Sequence, residues 1–271
     1  MNTIIDGTWA ERASEIMPDL PSREPGVYET LLLRSGEPAF WEEHLARFEA
    51  GARALGLAPL PLSEGQLRRH VQELARSSRI DLGVARYAVW RQDGAVHWRV
   101  EVSPPRPHMR KREFRVVWGP AVPGRMKYSE FKHFARTAWQ ESLRAARQSG
   151  FEETLLCDES GQLVEGGGAN VFLVREGALV TPHLDSGALP GVMRAQVLGL
   201  ATALGWTTRE RRVTRDEVAS ADELWVSNSI IGIRRVVAVG DDALSRSPGR
   251  FEAFCEAWRS RHGWHPVVVA A

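Results

Sequence analysis

Two runs, "VARYAVW" and "AVHWRVEV", are rich in β-branched and aromatic residues and flank the tetrad "RQDG", with Asp93-Gly94 in its turn. Such a pattern specifies an antiparallel hairpin, because Asp-Gly accepts the positive φ values that the tightest connections need. A chain committed to long antiparallel strands cannot be built only from βαβ units. Its other segments agree. "GVYETLLLRSGEPAFW" reads as a strand, a Ser-Gly-Glu turn and a return strand. "EEHLARFEAGARALG" follows, with Leu45, Phe48, Ala52 and Leu55 at helical spacing and Gly56 as a stop. Ser63 and Gln66 form a capping box at the head of "EGQLRRHVQELARSS". After the Pro- and Arg-rich "SPPRPHMRKR" comes one more strand, "EFRVVWG".

The second half opens on "FKHFARTAWQESLRAARQSG", where Phe131, Ala135, Trp139, Leu143 and Ala146 share one helical face. Hairpins are expected over "ETLLCDESGQLVE" and "NVFLVREGALVTP", and a helix over "PGVMRAQVLGLATALG". "TRDE" at 214–217 is a capping box, "ELWVSNS" and "IRRVVAVG" are strands, and "GRFEAFCEAWRSRHG" is a last helix. Strands and helices mix without a βαβ rhythm, so the expected class is α+β in two domains. "GPAVPGR" separates them: a small N-terminal domain over 1–118, a linker over 119–125, and a larger C-terminal domain over 126–271.

Several functions are excluded at this level. Lys+Arg 35 against Asp+Glu 34 gives no basic field for nucleic acid. Cys157 and Cys255 are too few and too far apart for a disulfide framework or a zinc site, so no metal is expected. No apolar run reaches the length of a membrane span, and "MNTIIDGTWAERASE" lacks the pattern of a signal peptide. A soluble cytoplasmic protein is expected. Gly119 and Gly124 have phosphate-loop spacing, but Arg125 and Met126 follow where Lys and Ser or Thr are needed.

Three features invite chemistry. Lys132 lies among Phe131 and Phe134, and desolvation would lower its pKa toward nucleophilic range. Taken alone, the feature is better accounted for by a lysine that snorkels to solvent. "LPGVMR" places Gly191 at a helix start, where the N–H groups of Val192 and Met193 make an anion site, as any helix start does. "LVEGGGANVF" brings Glu165 up to three glycines that let backbone or a ligand come close. Pyridoxal 5'-phosphate would use all three at once: a lysine, an acid for its ring nitrogen, and a helix N-terminus for its phosphate.

The chain resembles the class IV aminotransferases, the fold-type IV pyridoxal-phosphate enzymes. The resemblance rests on "HLAR" (44–47), "FKHF" (131–134), "LVEGGGANVF", "LPGVMR" and "VSNSIIGI" (226–233), in that order. It implies a two-domain fold holding the cofactor in its cleft, and a homodimer. It also implies Lys132 as the Schiff-base lysine, rather than Lys127, and Glu165 as the partner of the pyridine nitrogen. Arg47, Val192, Met193 and Ser229 would hold the phosphate. Thr30, and either Arg86 or Arg91, would bind substrate; residues five apart on a strand face opposite ways. Within the family, His133 after Lys132, "SNSIIGIRRV" and Thr30 resemble aminodeoxychorismate lyases. "SREPG" and Arg235 depart from the family pattern near the substrate. The alternatives are a branched-chain or D-amino-acid aminotransferase, or a non-catalytic binding module on the same fold.

Overall fold

The computed structural model describes residues 2–11, 25–105, 109, 111–244 and 249–267, so Ser22–Glu24 of "SREPG" lie outside it. The chain forms two compact units. One comprises residues 1–106 with Glu130–Thr137, and the other residues 107–129 with 138–269.

In the first unit the strands are β1 (Asn2–Ile5), β2 (Thr8–Glu11), β3 (Gly26–Arg34) and β4 (Glu37–Pro38). The helices α1 (Trp41–Ala54) and α2 (Glu64–Ser77) follow, then β5 (Leu82–Gln92) and β6 (Ala95–Ser103). The sheet order is β2-β1-β6-β5-β3-β4, with antiparallel neighbours throughout. Asp93 and Gly94 turn β5 into β6 with φ of 50° and 81°, as the Asp-Gly signal requires. Alternate residues of β3 (Val27, Leu31, Leu33) join Phe48 and Ala52 of α1 and Val71 and Leu74 of α2 in one core. The Ser63–Gln66 capping box is present at the head of α2.

The second unit contains β7 (Glu113–Trp118), α3 (Thr137–Gln148), β8 (Glu153–Cys157), β9 (Leu163–Gly166), β10 (Asn170–Arg175) and β11 (Ala178–Pro182). Then come α4 (Val192–Ala203), β12 (Thr208–Arg211), α5 (Arg215–Ala219), β13 (Glu223–Asn228), β14 (Gly232–Val239), β15 (Asp242–Ala243) and α6 (Arg250–His262). The strands run in the order β12-β11-β10-β13-β14-β7-β8-β9, with β15 beside β14. Trp225 of β13 packs between Phe251 and Phe254 of α6 at 5.5 Å ring separations, which anchors the last helix to the sheet.

Two expectations change. β7, assigned by sequence to the first domain, pairs in parallel with β14 and β8 of the second unit. Residues 130–137 cluster with the first unit instead of the second. The reason lies in the second change. The "FKHF" segment does not begin a helix, and α3 starts only at Thr137. Its backbone runs along the free edge of β3: Tyr28 N–H donates to Lys132 C=O at 2.9 Å and Phe134 N–H to Gly26 C=O at 3.0 Å. Val27 and His133 thus form an isolated antiparallel bridge.

Candidate active site

Lys132 owes its position to that edge strip. In an antiparallel pair with Val27 opposite His133, Lys132 stands opposite Tyr28 and on the same face. Its Nζ lies 4.9 Å from the Tyr28 ring centroid, a cation–π contact. Gly51 of α1 makes room for the strip, since a Cβ there would stand 3.1 Å from both Phe131 Cβ and Val27 Cγ1. Burial pushes the Lys132 amine down to about 8, with Arg47, Arg86 and Arg136 adding to the effect and Glu29 opposing it. Lys127, by contrast, is exposed and lies over Tyr128.

The register brings two more expected residues to this face. Thr30 pairs with Arg86, two positions along from the Tyr28–Ala88 pair. Arg86 Nη1 donates to Glu101 Oε1 at 3.1 Å. Arg91 points elsewhere: its Nη2 donates to Gly56 C=O at 2.6 Å, at the end of α1. Arg47 reaches the same neighbourhood through a residue the sequence did not single out. Its Nε and Nη2 donate to the two oxygens of Glu29 at 2.7 and 2.8 Å, and His44 Nδ1 lies 2.8 Å from Glu29 Oε2.

The second unit carries the remaining candidates. Glu165, 6% exposed at the end of β9, accepts from Leu189 N–H at 3.1 Å through Oε2. Leu189 and Pro190 lead into α4, whose N-cap is Gly191 and whose first turn, with Val192 and Met193, has no side-chain cap. Gly191 is required there: a Cβ would come within 2.2 Å of Asn170 Oδ1. Asn170 in turn donates to Ser227 C=O at 2.8 Å. Ser229 sits in the β13–β14 turn, where Asn228 Oδ1 accepts from Ile230 and Ile231 N–H, both at 2.9 Å. Asn228 Nδ2 also donates to Gly168 C=O at 2.8 Å, tying this turn to the glycine loop.

Of the two close approaches the glycines allow, by protein or by a ligand, the structure shows the first. A Cβ at Gly167 would stand 2.7 Å from Thr154 Cγ2 and 3.1 Å from Trp139 C=O, and one at Gly168 would stand 2.9 Å from Leu143 Cδ2. They let α3 and β8 close on the loop, so protein fills the space. The loop is also pinned by Glu153, whose Oε1 accepts from Gly168 N–H at 3.1 Å and Thr154 N–H at 3.0 Å. Burial pushes the Glu153 carboxyl up to about 7, against the pull of Thr154 N–H and Arg147. Glu29, Asn170, Asn228 and Glu153 were missed because their partners are remote or are backbone groups. Only His44 and Arg47, three apart on one helix, carried a local signal.

Each unit by itself carries features that pyridoxal phosphate, with aldehyde, ring nitrogen and phosphate to satisfy, would use: a half-buried lysine with a depressed amine in the first, and in the second a buried acid and a helix start without a side-chain cap. Among the described residues no three His, Cys, Asp or Glu side chains gather into a metal site. No helix is long and apolar enough to cross a membrane.

The comparisons agree. The family model for amino-transferase class IV matches residues 26–239. The chain belongs to the class IV aminotransferase family, a family of pyridoxal 5'-phosphate enzymes. A branched-chain-amino-acid aminotransferase of Salmonella typhimurium is 37% identical over 105 residues, 39% of this chain. That match spans about a third of the relative, 33% of its length. The 4-amino-4-deoxychorismate lyase of Pseudomonas aeruginosa superposes with a TM-score of 0.76 at 27% identity, covering 97% of this chain and 100% of the other. A hypothetical aminotransferase from Mycobacterium tuberculosis, in its PLP-bound form, superposes at 0.82 with 21% identity and 99% of each chain covered.

Proposed function

We propose that the chain is a 4-amino-4-deoxychorismate lyase, releasing 4-aminobenzoate and pyruvate. The observation that carries this reading is the end-to-end likeness to the Pseudomonas lyase at 27% identity, over 97% of this chain. The shorter, 37% identical match to branched-chain enzymes supports the second reading, an aminotransferase passing an amino group to a 2-oxo acid. Lys132 is the attachment point of the cofactor and Glu165 the acid for its ring nitrogen. Arg47, the amides of Val192 and Met193, and Ser229 hold its phosphate. With this reading goes a cytoplasmic homodimer serving folate biosynthesis.

Bound pyridoxal phosphate supplies an electron sink. The rest falls to the chain. Lyase turnover breaks one C–O bond to the enolpyruvyl group, removes one ring proton and returns one proton to the departing three-carbon unit. One group that takes and gives a proton suffices, and an amine with a pKa of about 8 does both near neutral pH. Thr30 and Arg86, paired across β3 and β5, offer a hydroxyl and a cation to a substrate carboxylate on the Lys132 face.

Two measurements test this. Incubation with aminodeoxychorismate should yield 4-aminobenzoate and pyruvate in equal amounts, while amino acid plus 2-oxoglutarate should yield little glutamate. The reverse outcome would move the chain to the transaminase branch. The phosphate assignment predicts unequal losses of cofactor retention. Arg47→Ala removes a charged hydrogen bond, worth roughly 1.5–3 kcal/mol, and Ser229→Ala a neutral one of about 1. Equal and negligible changes in cofactor dissociation constant would refute it.

A further inference from the structure

Glu29 is 1% exposed, yet it carries a carboxylate between β3 and α1. Two parallel bonds from Arg47 Nε and Nη2, at 2.7 and 2.8 Å, fix the plane of the guanidinium. His44 adds a third bond at 2.8 Å, one turn earlier on the same helix. An ionised carboxylate only accepts, so His44 carries its proton on Nδ1 in this pair. Burial alone would raise the Glu29 carboxyl; the charges and hydrogen bonds of Arg47 and His44 overcome it and hold it well below the usual range. Burial pushes His44 below its ordinary value, so it donates as the neutral ring. From β5, Tyr87 faces the same cluster, its hydroxyl raised by burial and then by Glu29. Arg47, Arg86 and Arg136 are cations acting on Lys132, and Glu29 is the anion opposing them.

We propose that Glu29 is a positioning residue: it fixes the Arg47 guanidinium and keeps one buried negative charge next along β3 to Tyr28, the residue opposite Lys132. The phosphate role of Arg47 rests on the function proposed above. The electrostatic effect of Glu29 on Lys132 does not. Glutamine at 29 would accept at one atom and present an amide donor at the other, against a guanidinium N–H. It would break one arm of the fork and raise the net charge around Lys132 by one.

The test uses the full chain, first stripped of cofactor. The pH profile of Lys132 acylation by dilute acetic anhydride is read by peptide mass spectrometry, with exposed Lys127 as internal control. Half-maximal reaction is expected near pH 8 in the native chain. In Glu29→Gln it should fall by roughly one unit or more, because the opposing anion is gone. If Glu29 merely supports the fold, its loss lets water in and the midpoint stays or climbs toward ordinary lysine; either result overturns the inference. Glu29→Asp, stripped of cofactor, should keep the Lys132 midpoint, but too short a side chain breaks the fork. Its preference for pyridoxal 5'-phosphate over pyridoxal should then drop about tenfold, the loss of one such bond. An unchanged preference overturns the Arg47 part, and remains decisive should Glu29→Gln fail to fold. Were the cofactor found attached elsewhere than Lys132, the proposed function would fall while the acylation profile still judged Glu29.

Discussion

Lys132→Met is expected to lower turnover by at least about 10²–10⁴-fold, the range a positioned acid–base group contributes, and to end covalent retention of the cofactor. In the native chain, borohydride reduction followed by peptide mapping should leave the pyridoxyl group on Lys132; a label on Lys127 would overturn the assignment. The same substitution has an opposite effect on stability. Lys132 loses its proton near pH 8 when folded but near the ordinary 10.5 when unfolded. Below pH 8 both states are protonated, and the folded chain bears the full cost of a buried cation. Between pH 8 and 10.5 the unfolded chain binds more protons, so native stability climbs with pH. A neutral methionine carries no such cost. Cofactor-free Lys132→Met should therefore be more stable at pH 7, by up to about 3 kcal/mol, with the advantage fading by pH 10.5. Urea denaturation at both pH values measures this. Equal stability at pH 7 would mean that Lys132 reaches solvent.

What could be read from sequence was what neighbours along the chain decide. The hairpin at Asp93-Gly94 and the capping boxes at Ser63 and Thr214 stand as expected, because their partners lie within a few residues. "FKHF" failed for the same reason turned around. Phe131, Ala135 and Trp139 mimic an i, i+4 stripe, yet Ala135 is exposed and the backbone of 132–134 finds its partners on β3. Only tertiary context could decide between an edge strip and a helical turn. β7 was misassigned because its partner β14 lies beyond all of α3 to α5 in the chain. Glu29 gave no signal at all, since an acid within a strand ordinarily faces water and its partners come from a separate helix. The glycines of 166–168 announced a close approach correctly, but not that α3 and β8 make it.

Glu165→Gln separates a catalytic acid from a structural one. Glu165 accepts the Leu189 N–H at 3.1 Å, and the amide oxygen of glutamine can accept it equally well. The approach to α4, the Gly191–Asn170 packing and the tie from Asn228 to Gly168 do not involve the carboxylate charge. Fold and cofactor attachment should therefore survive. A carboxylate facing the ring nitrogen keeps that nitrogen protonated, so that the ring withdraws electrons from substrate; a neutral amide cannot. Turnover should fall roughly 10²–10³-fold, the scale at which one preorganised electrostatic partner counts, while the cofactor dissociation constant changes little. If Glu165 only secures Leu189, the isosteric amide does the same work and turnover stays near native. Steady-state rates with the native product, taken beside the cofactor's absorbance spectrum, distinguish the two. An unchanged rate with an unchanged spectrum would remove Glu165 from the chemistry and leave it as a peg for the segment leading into α4.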